Sequence, residues 1–163
     1  MRYALLTDYS DAPEQKRPED AALLTQACEG VQNLNRVHAQ DGETRFYLFH
    51  RRRLWNPAED SWMGWERKRG KLSEFNRLVL GDSLDETSYV ETVGDLDFLS
   101  EVRFVITLDA DTVMPRGAAR RMIATLAHPL NRAQFDEETG SVEDGYTILQ
   151  PRTEVKPTSV NRS

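Results

Sequence analysis

The sequence predicts an α/β fold, in which a mostly parallel sheet carries helices on both faces. Two short apolar runs, at residues 3–7 and 102–108, are too brief to require helices, and each leads into acidic residues. Other segments repeat their apolar residues at steps of three and four, as amphipathic helices do. Because strands alternate with helices, we expect parallel pairing and ligands at the carboxyl ends of the strands.

The elements follow from the same patterns. Strands are expected at residues 3–7, 45–50, 102–108 and 146–149. Helices are expected from Pro18 onward, over 71–80, and from Pro115 to about 127. Gly30 should weaken or end the first helix. Two stretches lack a clear period: we interpret residues 51–70 as a long structured loop and 81–100 as an acidic segment without regular structure.

Composition indicates one soluble domain over residues 1–163. Hydrophobic residues make up 39% of the chain and charged residues 29%, as in globular proteins. The sequence has no run approaching the roughly 18 apolar residues of a membrane helix. A single cysteine, Cys28, excludes an internal disulfide and is expected on the inner face of a helix.

Charge is distributed unevenly along the chain. The total is −6, yet residues 45–77 carry nine Lys or Arg against four acids. A basic centre in an acidic chain indicates that an anionic partner binds locally, and a phosphate on a small molecule is sufficient.

The main candidate for chemistry is the pair Asp109 and Asp111, directly after the predicted strand at 102–108. Two carboxylates in this position can hold a divalent metal ion through hard oxygen ligands. The alternative is that they cap the helix near Pro115. Asp95 and Asp97 repeat the same spacing without a preceding strand, and we interpret that second pair as a solvated turn.

Two further positions are compatible with binding a nucleotide. Asp8 ends the first strand and can accept a hydrogen bond from a base or ribose, or it can simply belong to a turn that also contains Asp11. Gly70 and Lys71 are expected to open a helix, whose N-terminus attracts phosphate. The alternative for Lys71 is a surface lysine in a basic run.

A stretch of arginines and tryptophans follows the second strand. Such a mixture can stack on single-stranded nucleic acid or on sugar rings, or it can brace a loop through cation–π contacts. The acidic balance of the chain argues against nucleic acid. The residues are Arg51, Arg52, Arg53, Trp55, Trp62 and Trp65. Three scattered histidines, His38, His50 and His128, lack metal-ligand spacing and are expected to be structural.

Longer blocks of sequence resemble a known family. Asp8 after a strand, a Gly-Lys-x-x-x-x-Asn stretch at 70–76, and Asp-Ala-Asp after another strand come in the order of family 2-type glycosyltransferases of the GT-A fold. The segments RFYLFHRRRLWNP, WMGWERKRGKLSEFNRL and FVITLDADTVMPRGAARRMIATLAHPLNR resemble the glycosyltransferase region of cyclic β-1,2-glucan synthases. The resemblance covers nearly the whole chain.

The resemblance carries functional expectations. It implies a bacterial inner-membrane enzyme that uses UDP-glucose, on the cytoplasmic face, to extend a β-1,2-glucan acceptor. It implies that Asp8 contacts the uridine, Lys71 lies near the nucleotide and Asp109 contacts the donor. It also implies that Asp111, with Asp109, binds Mg²⁺ or Mn²⁺. The partners are the donor, the glucan and the remainder of the same polypeptide with its membrane segments, and no nucleic acid.

Family members also have features that we do not find in this chain. Their domain begins one strand earlier, and it continues into an acceptor half that carries the general base. We therefore expect a truncated glycosyltransferase domain in which no residue of this chain is the catalytic base. Isolated, it should transfer no sugar. The alternative is a non-catalytic domain whose Trp- and Arg-rich stretch binds a protein or a carbohydrate.

Overall fold

The computed structural model describes residues 1–38 and 42–152, and the chain has the predicted mixed α/β character. It divides into two compact units, Met1–Val102 and Arg103–Ser163. In chain order the helices are α1 (Asp20–His38), α2 (Arg67–Val79) and α3 (Ala118–Ala127). The strands are β1 (Tyr3–Asp8), β2 (Phe46–Arg51), β3 (Leu54–Asn56), β4 (Ser61–Met63), β5 (Tyr89–Val93), β6 (Gln134–Phe135) and β7 (Val142–Asp144).

The first unit contains a three-stranded sheet in the order β1-β2-β5. β1 runs parallel to β2, with Tyr3 opposite Phe46 and Asp8 opposite Arg51. β5 runs antiparallel to β2. The expectation of a mostly parallel sheet is therefore only partly confirmed, because one of the two strand pairings is antiparallel.

The core of this unit lies between β2 and helix α2. β2 is almost wholly buried, and the Phe49 ring meets Phe75 of α2 edge-on with centroids 5.2 Å apart. Tyr89 of β5 packs against the same ring at 5.6 Å. These aromatic contacts hold α2 against the sheet, and Lys71 and Glu74 of the same helix contact Asp8 and Arg51 at the carboxyl ends of β1 and β2.

Helix α1 continues through Gly30 to His38. The sequence suggests that Gly30 weakens or ends this helix, and the structure shows that the helix does not end there. Asn35 in its last turns bonds the start of β2. Its side-chain oxygen accepts from the backbone N–H of Phe46 at 2.9 Å, and its amide donates to the Phe46 carbonyl at 2.7 Å. These bonds attach the C-terminal end of α1 to the start of β2, at the opposite end of that strand from Arg51.

Two segments are more regular than the sequence predicts. The expected loop at 51–70 contains the antiparallel β3–β4 hairpin and the first turn of α2. The segment 81–100, expected to be irregular, contains strand β5 and 3₁₀ turns at Leu84–Glu86 and Asp97–Glu101. The acidic residues on either side of β5 obscure it in the sequence, but Tyr89 anchors the strand because its side chain is buried.

The second unit contains α3 and the small β6–β7 hairpin. The strand predicted at 102–108 is wrong: it has no strand partner in the part of the chain that the structure describes. Phe104, Val105 and Leu108 are 41%, 44% and 48% exposed. A buried strand needs hydrogen-bonded neighbours and covered faces, which hydrophobic content alone does not provide.

The strand predicted at 146–149 is also wrong. Gly145 takes a positive φ of 77°, and the backbone N–H of Tyr146 bonds the Asn131 carbonyl at 3.0 Å. This turn leaves Ile148 81% exposed. Across residues 1–38 and 42–152, none of the helices combines the length and apolar character needed to cross a membrane.

Candidate functional site

The carboxyl end of β1 carries a carboxylate held between two cations. Asp8 Oδ1 accepts from Arg51 Nε at 2.6 Å, and Asp8 Oδ2 lies 2.7 Å from Lys71 Nζ. Asp8 and Arg51 are opposite one another in the parallel β1–β2 pair, so the strand register itself brings them together. The Asp8 and Lys71 side chains are 17% and 20% exposed, and ligands can therefore reach them.

Arg51 is the buried centre of this cluster, with a side chain that is 0% exposed. Its Nη1 donates to Glu74 Oε2 at 3.0 Å and to the Trp65 carbonyl at 3.1 Å. Its Nη2 donates to the Arg67 carbonyl at 2.9 Å. Burial by itself would lower the pKa of Arg51, but the hydrogen bonds to Asp8 and Glu74 outweigh it and raise that pKa.

Glu74 completes the cluster from helix α2. Its Oε1 accepts from the backbone N–H of Ser88 at 3.0 Å, and its Oε2 accepts from the Ser88 hydroxyl at 2.6 Å. The backbone also approaches closely at Gly64, where a Cβ would lie 2.8 Å from the Asp8 carboxyl carbon. A larger residue would displace Asp8, so Gly64 helps to fix the carboxylate in place.

A second buried arginine organises the segment that follows β1. Arg53 Nε donates to the Ser10 carbonyl at 2.6 Å, and its Nη2 donates to Asp20 Oδ1 at 3.0 Å. The guanidinium also lies over the Tyr9 ring, 4.7 Å from its centroid. The hydrogen bond from Arg53 lowers the pKa of Asp20. The pair thus fixes the turn between β1 and α1 next to Asp8.

His50 lies between these two clusters and is buried. Its Nδ1 is 2.8 Å from the Thr7 hydroxyl, and the Tyr9 ring packs edge-on at 4.1 Å. Its Nε2 is buried without a hydrogen-bond partner. Burial lowers the pKa of His50, although the nearby Asp8 carboxylate opposes that shift. The ring is therefore a neutral, packed group, in accord with its expected structural role.

We expect His50 to make the first unit less stable in mild acid. Below its ordinary pKa of about 6.5 the unfolded chain binds a proton that the buried ring does not, so stability falls as the pH falls. The slope attributable to one such group approaches about 1.4 kcal/mol per pH unit. Urea unfolding between pH 7.5 and 5.5 should show a flatter profile for His50→Gln than for the wild type.

The control for this prediction is His38→Gln, because His38 is exposed in the last turn of α1. That variant should keep the wild-type slope. A His50→Gln profile that runs parallel to the wild type over the whole range would contradict the assignment.

Of the residues predicted to bind the donor, Asp8 and Lys71 are in direct contact. One detail is corrected: Gly70 and Lys71 do not open the helix, because α2 begins at Arg67. Gly70 is required for another reason, since a Cβ there would lie 2.0 Å from the Trp65 carbonyl oxygen. Lys71 therefore lies beyond the helix N-terminus, and its side chain is the part that reaches Asp8.

Asp109 and Asp111 lie in the second unit, in an exposed turn closed by the bond from Thr112 N–H to the Asp109 carbonyl at 3.0 Å. No strand precedes them, contrary to expectation. Within the described residues no group of three or more His, Cys, Asp or Glu side chains could hold a metal ion. Two carboxylates nevertheless fit Mg²⁺ sites in which substrate phosphates supply further oxygens.

The other Asp-x-Asp sequence is a turn, as predicted. The Asp95 carboxylate accepts from the backbone N–H of Asp97 at 3.0 Å, at the start of a 3₁₀ turn. The Asp95 Oδ1 atom therefore stabilises the turn through a hydrogen bond to the backbone two residues further on.

The sequence is similar to a much longer bacterial protein, the cyclic beta-(1,2)-glucan synthase NdvB of Rhizobium meliloti (strain 1021). The two are 43% identical over 150 residues, or 92% of this chain. This chain is related to cyclic β-1,2-glucan synthases. The resemblance noted in the sequence is thereby confirmed. The chain spans 5% of the length of NdvB, and no family model matches it.

The similarity to this glucan synthase covers most of the candidate residues of each unit. Because 150 of the 163 residues are matched, Arg51, Lys71, Glu74, Asp109 and Asp111 all fall within a continuous matched segment wherever it begins. The structure and the comparison therefore concern the same part of the chain.

Sequence reasoning missed the buried members of the cluster. Arg51 and Arg53 are predicted to lie in a long structured loop, yet Arg51 ends strand β2 and the two side chains are 0% and 1% exposed. Arg52 between them is exposed, so the three arginines alternate as strand residues do. Three identical residues carry no alternation in the sequence, and residues 47–51 are all buried, so no sequence signal separates Arg51 and Arg53 from Arg52. Glu74 gives no signal either, because its partners come from other elements.

Proposed function

We propose that this chain is the donor-binding part of a GT-A-type glucosyltransferase, which transfers glucose from UDP-glucose to a growing β-1,2-glucan. NdvB is named as a synthase of such a glucan, and glucan synthesis requires an activated glucose donor. Because the chain spans 5% of NdvB, we assign to it the donor pocket and leave the general base to other parts of the enzyme.

The Asp8–Lys71 pair carries this proposal. Its two charged atoms are 2.7 Å apart at the carboxyl end of β1, where open α/β sheets bind ligands. A carboxylate accepts hydrogen bonds from the N–H and O–H groups of a uridine, and an ammonium group binds a diphosphate. Asp8 thus offers a hydrogen-bond acceptor for the base, and Lys71 beside it offers a cation for the diphosphate.

Arg51 gives this pair its rigidity. The buried Arg51 guanidinium bonds Asp8 Oδ1, so the carboxylate keeps one orientation while part of it stays exposed to solvent. The Lys71 side chain is not bonded to Arg51, so rotation about its aliphatic chain can turn the ammonium group from Asp8 toward a phosphate. We propose that Asp8 orients the uridine and that Lys71 neutralises part of the diphosphate charge.

The second unit contains its own candidate residues, Asp109 and Asp111, which we consider separately from the Asp8–Lys71 pair. We assign Asp109 to the donor and both carboxylates to Mg²⁺ or Mn²⁺, since hard oxygen ligands suit these ions. When bound, such an ion neutralises the diphosphate as it leaves. The role of the two side chains is to supply anionic oxygens from an exposed turn.

Calorimetric titration of UDP in the presence of Mn²⁺ tests the proposal. Lys71→Met should weaken UDP binding about ten- to a hundred-fold, because a charge-assisted hydrogen bond is worth about 1.5–3 kcal/mol. Asp111→Ala should bind UDP equally with Mn²⁺ or with chelator, whereas the wild type should bind more tightly with Mn²⁺.

Lys68→Met is the matched control, because Lys68 is exposed in the same helix and has the same charge. It should bind UDP as the wild type does. The proposal fails if the wild type binds no UDP, or if Lys71→Met and Lys68→Met are indistinguishable.

A further inference from the structure

A second concave site lies beside the β3–β4 hairpin. It is a cavity of about 390 Å³, at the lower end of the roughly 300–1,000 Å³ range of small-molecule sites. Neither Asp8 nor Lys71 lines it. The lining residues that matter here are Trp55, Asn56, Glu59, Trp65, Glu66 and Arg67.

Two tryptophans give the cavity aromatic walls. Trp55 and Trp65 are 44% and 46% exposed, although tryptophan is highly buried on average. Trp62 braces Trp55 from the opposite strand, with ring centroids 5.8 Å apart. An indole offers a flat apolar face with a polar edge, which suits a ligand with one C–H face and a rim of hydroxyls.

The charged side chain of Arg67 in the cavity forms ion pairs with two carboxylates. Arg67 Nη2 lies 2.6 Å from Glu59, and its Nη1 lies 2.9 Å from Asp11. A guanidinium has five N–H donors, more than these two ion pairs require, and each carboxylate has several acceptor positions. With its arginine already paired to acids, the cavity favours a neutral hydroxylated ligand over a phosphate.

The backbone around the cavity is held in an unusual conformation. Among the described residues, the non-glycine positions with positive φ are Asp60, Glu66 and Arg67, at 48°, 51° and 48°. Such conformations are disfavoured and persist where surrounding contacts enforce them. Arg51 does so at Glu66 and Arg67, because it donates to the carbonyls of Trp65 and Arg67. The cavity is therefore preformed.

We propose that this cavity binds a glucose unit of a neutral glucan, with the pyranose ring against Trp65 and its hydroxyls bonded to Glu59 and Arg67. The pyranose chemistry follows from the cavity itself, and the choice of glucose rests on the function proposed above. Arg51 bonds both Asp8 and the cavity backbone, so the glucan subsite and the donor site share one buried support.

Tryptophan fluorescence tests this directly, since the three tryptophans of the chain are at positions 55, 62 and 65. Titration of the chain with a β-1,2-linked glucose oligosaccharide should change the emission saturably. By calorimetry, Trp65→Ala should weaken binding about tenfold or more, as expected when an aromatic contact of about 1.5 kcal/mol is lost. Tyr146→Ala, which removes an aromatic side chain that is 63% exposed and does not line the cavity, should retain the wild-type affinity.

The inference is overturned if the wild type shows no saturable binding, or if Trp65→Ala binds as tightly as the wild type. It is also overturned if single-stranded oligonucleotide binds more tightly than the glucan, with an affinity that falls steeply with salt.

Lys71→Met separates this inference from the donor assignment. If that variant loses UDP but binds the oligosaccharide, both proposals are supported. Glucan binding in a wild type that does not bind UDP would leave the glucan subsite standing alone, and UDP binding without glucan binding would leave only the donor site.

Discussion

Replacing Arg51 with methionine should lower the free energy of unfolding by about 3–5 kcal/mol, the usual effect of removing one member of a buried ion pair. Methionine keeps much of the volume but leaves Glu74 buried with only Ser88 as its partner, and it withdraws the donors to two backbone carbonyls. Arg51→Lys should restore little, because one ammonium group cannot reach both carboxylates and both carbonyls.

Urea unfolding followed by far-ultraviolet circular dichroism measures this effect. Arg52→Met is the matched control: the neighbouring arginine is exposed, and its loss should change the unfolding free energy by less than about 0.5 kcal/mol. A loss below about 1 kcal/mol in Arg51→Met would show that the buried network contributes little to stability.

Arg53→Met should destabilise the chain by a similar amount, about 3–5 kcal/mol, with a different local consequence. Asp20 is 7% exposed and would become a buried carboxylate without its guanidinium partner. The carbonyls of Ser10 and Gln15 would lose their donor at the same time. We therefore expect the segment between β1 and α1 to open before the rest of the unit unfolds.

Urea unfolding gives the global effect, and cleavage by a Glu-specific protease gives the local one, since Glu14 and Glu19 lie in this segment and are exposed. Arg17→Met is the control, because Arg17 pairs with Glu19 at 2.7 Å and both side chains are 45% exposed. Equal protection from the protease in Arg53→Met and Arg17→Met would refute the local role of Arg53.

The sequence predicts part of this fold because some elements are encoded locally. Strands β1 and β2 lie within one residue of their predicted bounds, and α2 and α3 begin within four residues of theirs, whereas α1 extends past Gly30 to His38. Strand β5 was missed, and the strand at 102–108 was predicted wrongly, for one physical reason. A strand depends on its partners, and neither the antiparallel pairing of β5 with β2 nor the absence of a partner for 102–108 is visible in local pattern.

The candidate site divides in the same way. Asp8 and Lys71 were identified from their positions in the sequence, and they are in contact. Arg51, which holds Asp8 in place, is predicted to lie in a structured loop, because residues 51–70 show no clear period. Its burial depends on Glu74 and Asp8, which are far from it along the chain, so only tertiary structure shows that its charge is compensated.

The parallel pairing of β1 with β2 has a consequence for how the unit folds. Thr7 with His50, Asp8 with Arg51, and Ser10 with Arg53 are all separated by 43 residues. Closing that one loop costs chain entropy once, and the cost grows only slowly with loop length. All three contacts then form in the same register, whereas a slip of one residue would break them together and turn the apolar side chains of β2 to the opposite face. The polar cluster thus also specifies strand alignment.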